Sequence, residues 1–249
     1  MGRAVVKFGG SNLKNESDLC RLVEIVKLYE EPPVIVVSAL FGVTDMIKES
    51  LKKVVSSTSE IGKLMEFISE NHLSIIENYV SSPVIRESLR SAFLYKLFEL
   101  RKYLLGINCL GKKPECAEDL ILSFGERFTA LILNSLLTDH GVDSIMLLPE
   151  EIGLVTDGCF GDAVIDFDKA EKRVAEALLT DCAVVIPGFY GVSPAGDVTL
   201  LGRGGSDYSA AAVAACIKAD YLDLWKDVPG FLSCDPRLVN DAFPLELLS

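Results

Sequence analysis

Leu201-Gly202-Arg203-Gly204-Gly205-Ser206-Asp207-Tyr208-Ser209 is a polar, glycine-rich stretch set between two unlike segments. Before it runs Asp197-Val198-Thr199-Leu200-Leu201, with the composition of a short strand; after it comes Ala210-Ala211-Ala212-Val213-Ala214-Ala215-Cys216-Ile217, an alanine-rich helical run. Three glycines allow positive φ and close approach of the backbone to a ligand. Ser206 or Asp207 can cap the helix, whose first N–H groups and positive dipole end then face an anion. Arg203 adds a forked cation. Strand, basic glycine turn and helix start together predict a phosphate or carboxylate site.

Working outward, the same pattern recurs. Ala4-Val5-Val6-Lys7-Phe8-Gly9-Gly10-Ser11 reads as a buried strand that delivers a lysine to a glycine turn, and a buried ammonium needs an anionic partner. Val34-Ile35-Val36-Val37-Ser38-Ala39-Leu40 is continuously apolar, as expected of a central parallel strand covered on both faces, and ends at Ser38 before a turn through Gly42 to Thr44. Cys182–Phe189 and Tyr221–Trp225 are two more strands, the latter terminated by Lys226-Asp227-Val228-Pro229-Gly230. Ser144–Leu148 is a short strand, Gly153–Asp162 a flexible acidic loop, and Ser17–Glu31, Glu118–Leu137 and Asp168–Thr180 are helices.

Residues 46–118 carry helical periodicity without a strong strand and read as an inserted helical bundle. Gly106 to Lys113 nearly spells a phosphate-binding P-loop. Lys113 stands where the metal-binding hydroxyl belongs and the preceding segment is helical, so a loop is not expected there. The chain as a whole is expected to be one domain, 1–249, folded as a three-layer α/β/α sandwich with a mostly parallel central sheet. Ligands in such sheets sit across the strand carboxyl ends.

Of the 249 residues, 49% are hydrophobic and 24% charged, a globular composition. The net charge of −12, from 36 acidic and 24 basic residues, argues against nonspecific binding of nucleic acid or an anionic membrane. Seven cysteines without a C-x-x-C pair suit buried free thiols in a reducing compartment. No leader peptide or 18-residue apolar run is expected, which reads as a soluble, cytoplasmic protein. With only His72 and His140, both read as structural, a histidine metal site or a nucleophilic triad is disfavoured. Cations, backbone donors and carboxylates without an acid–base histidine suit phosphoryl transfer to an acceptor that is already an anion.

These motifs resemble the catalytic domain of the aspartate kinases, in the amino-acid kinase superfamily. Lys7-Phe8-Gly9-Gly10-Ser11 resembles K-F-G-G-[TS]; Val36-Val37-Ser38-Ala39 through Gly42-Val43-Thr44 resembles V-V-S-A-x-x-G-[VI]-T; Phe124-Gly125-Glu126 resembles the G-E helix; and Leu201 to Tyr208 matches L-G-R-G-G-S-D-[YF]. Asp227-Val228-Pro229-Gly230 with Asp235-Pro236-Arg237 resembles D-V-x-G…D-P-R, an element shared with other amino-acid and UMP kinases.

The resemblance implies ATP- and Mg²⁺-dependent phosphorylation of the L-aspartate β-carboxylate to 4-phospho-aspartate, for lysine, threonine and methionine synthesis, by a homodimer. It implies that Lys7 contacts the transferring phosphate with Phe8, Gly9 and Gly10 nearby. Thr44 and Glu126 bind aspartate, Glu126 through its α-ammonium, and Ser38 lines the same pocket. Asp166 is a substrate-side aspartate, Ser206 and Asp207 belong to the acceptor and metal region, and Lys226, Asp227, Leu232 and Arg237 hold the nucleotide.

Several positions depart from the pattern. Asn12 stands for a Ser/Thr, Lys226 for a threonine and Leu232 for a tyrosine, and Asp162 occupies the place of a substrate arginine, leaving Arg203 to take that role. The chain also stops before the family's F-G-A-K-V-L-H-P segment and its ACT regulatory domains, as a piece of a longer protein would, one fused to homoserine dehydrogenase included. The alternatives are a kinase for another carboxylate such as N-acetylglutamate, or a catalytically silent aspartate- or nucleotide-binding module.

Overall fold

The computed structural model describes residues 3–14, 16–226, 230, 233–234, 238–239 and 241–244. Its strands are β1 (Val5–Phe8), β2 (Val34–Val37), β3 (Ser144–Met146), β4 (Ala183–Pro187), β5 (Tyr190–Val192), β6 (Val198–Leu200) and β7 (Leu222–Trp225). Its α-helices are α1 (Glu16–Val26), α2 (Val43–Val54), α3 (Ser59–Tyr79), α4 (Pro83–Leu110), α5 (Glu115–Leu122), α6 (Phe124–Asp139), α7 (Pro149–Ile152), α8 (Phe167–Ala177) and α9 (Gly205–Ile217).

Five parallel strands form the central sheet in the order β3-β4-β2-β1-β7. The apolar runs of β1, β2 and β4 are buried along their whole length, as two-sided cover requires. Side chains alternate between the faces. Val6, Phe8, Ile35, Val37 and Val185 join one core with α1, α6 and the helices α2–α5. Val5, Val34, Val36, Val184 and Ile186 join the other with α8 and α9. The three-layer sandwich is therefore present, and the inserted bundle is helical from Val43 to Leu122. The same alternation turns Lys7 toward the α9 side, and the parallel register sets it between Val36 and Leu224.

Four local expectations are corrected. The single helix expected over 118–137 is interrupted at Ser123, whose hydroxyl donates to the Leu120 carbonyl (2.7 Å) and accepts from Arg127 Nε (3.0 Å); such side-chain competition loosens a helix locally. The strand before the glycine loop does not belong to the central sheet: β6 pairs antiparallel with β5, in a separate two-stranded ribbon. The acidic loop 153–162 is pinned rather than free. Asp157 accepts from the amides of Cys159 and Val164, and Asp119 from that of Gly161. Finally, all seven cysteines are free, yet Cys109, Cys116 and Cys159 are exposed and only Cys216 is fully buried.

The span Glu115–Asp139 is long and apolar enough by composition to cross a membrane, against the expectation that no such run exists. Some 78% of its most apolar window is buried inside the fold, which marks it as the core helix pair α5–α6. The near-P-loop at 106–113 is no loop: its first five residues close α4, and Gly111 caps that helix with φ of 63°.

Candidate active site

The carboxyl ends of β1, β2, β4 and β7 lie on one side of the sheet, and the site forms there. Lys7, 5% exposed, reaches Asp207 of α9 at 2.5 Å, Nζ to Oδ1. Lys226, just past β7, reaches the other oxygen of the same carboxylate at 2.7 Å. Burial pushes the Asp207 carboxyl up, but the hydrogen bonds from Lys226 and Lys7 outweigh it and hold the group below the usual carboxylate range. Asp207 therefore aligns two ammonium groups and does not cap its helix. The cap position is Gly204, with φ of 76° and no side-chain cap bond, so neither Ser206 nor Asp207 plays the expected capping part. Positive φ is needed at Gly202 (68°) and Gly204, the two loop glycines that fold the chain back into α9.

Beside the lysine, the glycine turn is tight for a reason. A Cβ on Gly9 would lie 3.2 Å from Lys7 Nζ, and one on Gly10 would lie 3.3 Å from the Ala39 carbonyl. Phe8 is fully buried and tilts against Trp225, which seats the turn on β7. Ser38 donates its amide to the Phe8 carbonyl at 3.1 Å, so the ends of β1 and β2 remain locked together.

Glu126 enters from α6. It is 3% exposed, Oε1 accepts the Ala39 amide at 3.2 Å, and Oε2 is buried without a partner among the described residues. Burial, opposed by the Ala39 amide and more weakly by Lys7, pushes its carboxyl up to about 8. With no partner for Oε2 among the described residues, this carboxyl stays mostly protonated near neutral pH, and an ammonium group placed against it would return it to the carboxylate form. Thr129, one turn on, accepts the Leu40 amide at 3.0 Å and fixes α6 against the β2–α2 turn. Gly125 makes that approach possible, since a Cβ there would meet Ala39 Cβ at 2.8 Å.

Thr44, Lys48, Phe189, Gly202 and Arg203 line a cleft of about 490 Å³ between α2, α5 and the loop before α9. Lys7, Glu126, Asp207 and Lys226 do not line it, and Thr44, whose Oγ1 would lie 3.5 Å from a Cβ on Gly125, is the link between the two. Ser206, in the first turn of α9, packs on the end of β4, where a Cβ on Gly188 would lie 3.1 Å from its own Cβ. The first amides of α9 have no intrahelical acceptor and can serve an anion. Of the residues predicted from sequence, the structure gathers Lys7, Phe8, Gly9, Gly10, Ser38, Glu126, Ser206, Asp207 and Lys226 at the strand ends, and Thr44 and Arg203 in the cleft.

Asp166 stands apart. It is the N-cap of α8, accepting the Lys169 amide and pairing with Lys169 Nζ at 2.6 Å, and it does not line the cleft. Asp227, Leu232 and Arg237 lie outside the described residues. Among the described residues no group of three His, Cys, Asp or Glu side chains could hold a metal ion.

Two site residues escaped the sequence reading. Phe189 lines the cleft with φ of 76°, a left-handed conformation costly for a bulky side chain; a bulky residue just after Pro187-Gly188 was the available signal. Asp119 is buried and accepts the amides of Gly161 and Leu200, both at 2.8 Å, tying the acidic loop to β6. Burial pushes its carboxyl up against those two bonds. Nothing in the local sequence separates it from its acidic neighbours.

The model of the amino acid kinase family matches residues 2–249. The chain is 39% identical over 132 residues to Aspartokinase 1 of Bacillus subtilis, an alignment covering 53% of this chain and 32% of the relative. It is 31% identical over 255 residues to the chloroplastic Aspartokinase 1 of Arabidopsis thaliana, covering 98% of this chain and 43% of the relative. Among solved structures, E. coli aspartokinase III in complex with aspartate and ADP superposes with a TM-score of 0.86 at 27% identity, covering 98% of this chain and 53% of that one. Isopentenyl phosphate kinase shares the fold, with a TM-score of 0.51 at 12% identity. The chain thus spans between about a third and a half of the length of the aspartokinases it matches.

Proposed function

The chain belongs to the amino acid kinase family, and from that premise we propose that it transfers the γ-phosphoryl group of ATP to the β-carboxylate of L-aspartate. One carboxylate oxygen attacks the γ-phosphorus, the bond from that phosphorus to the β,γ-bridging oxygen breaks, and ADP leaves with the electron pair. No proton moves, so the absence of an acid–base histidine at the site costs nothing. The observation that carries the reading is the pairing of Lys7 and Lys226 on Asp207 next to the free oxygen of Glu126.

In this reading Asp207 aims the two ammonium groups, and Lys7 neutralises charge on the transferring phosphoryl group. Preorganised charge of this kind often lowers the barrier more than any other single effect. Gly9, Gly10 and the first amides of α9 receive phosphate oxygens, with Phe8 holding the turn. Glu126 takes the α-ammonium, Thr44 and Ser38 line the acceptor pocket, Ser206 orients the acceptor, and Arg203 meets a substrate carboxylate. Lys226, Asp227, Leu232 and Arg237 serve the nucleotide. A Mg²⁺ ion bound with the nucleotide would supply further positive charge to the phosphate oxygens, and Asp207 would be the nearest protein carboxylate. Asp166 stabilises α8. A soluble cytoplasmic homodimer is the proposed setting.

An unpartnered buried carboxylate rewards a free ammonium, which favours aspartate over N-acetylglutamate as acceptor. An ATP-dependent hydroxamate assay with L-aspartate, L-glutamate and N-acetylglutamate tests this. Hydroxamate is expected with aspartate alone. Turnover of N-acetylglutamate in its place would overturn the assignment of Glu126, and no turnover of any acceptor would overturn the kinase reading.

A further inference from the structure

The aspartate cleft carries two cations, and the second is not part of any motif. Arg203 comes from the loop before α9 and Lys48 from α2, one helical turn beyond Thr44; both line the same cleft. Residues four apart on a helix share a face, so Lys48 follows directly from Thr44 along one wall. Both cations are exposed, and neither is within salt-bridge distance of a carboxylate among the described residues.

The rest of the charge lining the cleft is acidic: Asp45, Glu115, Glu118 and Asp119. Glu118 is paired with Lys113 at 2.6 Å, and Asp119 is committed to two backbone amides. Asp162 is also close by, packed against Gly202 so that a Cβ there would meet its Oδ1 at 2.2 Å. An acceptor with two carboxylates entering this acidic surface needs a cation for each of them.

Lys7 and Lys226 mark the phosphoryl end and Glu126 the ammonium. None of the three lines the cleft that holds Thr44, Lys48 and Arg203, which leaves that cleft for the remaining carboxylate. We propose that Lys48 is a specificity-determining residue that reads the α-carboxylate of the acceptor together with Arg203. The inference rests on the aspartate kinase reading above. An exposed cation held against a carboxylate contributes binding equally in ground and transition states, so its loss should appear in KM and not in kcat.

The test compares the chain with its Lys48→Met and Lys48→Arg variants, using L-aspartate and its α-amide, L-isoasparagine, which keeps the β-carboxylate and loses the α-charge. Lys172→Met on the outer face of α8 is the control, because Lys172 is 84% exposed and remote from the cleft. Lys48→Met should raise the KM for aspartate about tenfold with kcat within about threefold. Lys48→Arg should restore it to within about threefold, and the KM for isoasparagine should not respond. An aspartate KM within twofold of the parent, or equal changes for aspartate and its α-amide, would overturn the proposal. Calorimetric titration of aspartate separates the two levels of inference. Lys48-dependent binding without turnover would support the Lys48 assignment while overturning the kinase reading, and aspartate binding indifferent to Lys48 would overturn the assignment alone.

Discussion

Lys7 is the residue on which most of the site's electrostatics converge. It is almost wholly buried, yet its ammonium has a single ion partner among the described residues, Asp207, which it shares with Lys226. Lys7→Ala should lower kcat for aspartate phosphorylation by ~10²-fold or more, the scale of one lost transition-state donor. Far-ultraviolet circular dichroism should be unchanged, because Lys226 still pairs with Asp207. Activity within a few-fold of the parent would remove Lys7 from the catalytic assignment. Single residues of this kind were legible in the sequence because they break a rule: a lysine closing an apolar strand, an arginine among glycines. Phe189 and Asp119 were not legible. Their importance lies in a backbone angle and in two distant amides: the bulky residue after Pro187-Gly188 is a faint sign of the first, and the second leaves none in local composition. Asp207 was legible as a site residue but not in its role, since what it contacts comes from β1 and from beyond β7.

At the scale of elements, the site depends on how closely α6 approaches the β2–α2 turn. Gly125 sits at that contact, and Gly125→Ala would force a methyl group to within 2.8 Å of Ala39 Cβ. Overpacking of this sort costs about 1–3 kcal/mol, and here it also pulls Glu126 away from the Ala39 amide. The expected result is a lowered urea midpoint together with a raised KM for aspartate. A midpoint shift without a KM change would mean that Glu126 does not depend on this approach. The buried parallel strands were readable because two-sided burial demands unbroken apolar runs. The β5–β6 ribbon was readable only in part: β6 was expected as a strand, but β5 and the pairing of the two were not, because strands three residues long are too short to show a period. The interruption at Ser123 was hidden for the opposite reason: apolar periodicity continues through it, and only a side-chain hydrogen bond marks it.

Across the whole molecule, two buried titrating groups pull stability in opposite directions. Glu126 titrates near its ordinary 4.5 when unfolded and at about 8 in the native state. Between those values the native state binds the extra proton, so Glu126 makes stability fall as pH rises. His72, buried against Phe93 and Phe128, is pushed down by burial from 6.5 to about 4. Between these values the unfolded state binds the extra proton, so His72 makes stability rise with pH. The slopes oppose each other up to about pH 6.5, and above it Glu126 acts alone. At about 1.4 kcal/mol per pH unit, the unfolding free energy of Glu126→Gln should exceed that of the parent by an amount that grows about 2 kcal/mol between pH 6.5 and 8. Urea titrations at the two pH values measure this, and a constant difference would contradict a native Glu126 that is protonated at neutral pH. The layered architecture was legible from alternating strand and helix patterns, whereas this balance was not, because burial is a property of the assembled core. The position of β1 bears finally on how the molecule comes into being. Its two neighbours are β2, an early segment, and β7, one of the last, and Lys7 meets Asp207 some 200 positions along the chain. Closing a loop of that length costs on the order of 5 kcal/mol of chain entropy. During synthesis the helical layer from α2 to α6 can therefore pack on β1 and β2 long before β7 emerges, and the charge cradle forms only after α9, β7 and Lys226 have followed. Until then Lys7 stands at the end of a half-built sheet with its counter-ion still unmade, and the interval in which the nascent chain is most exposed to pairing with the wrong strand falls there.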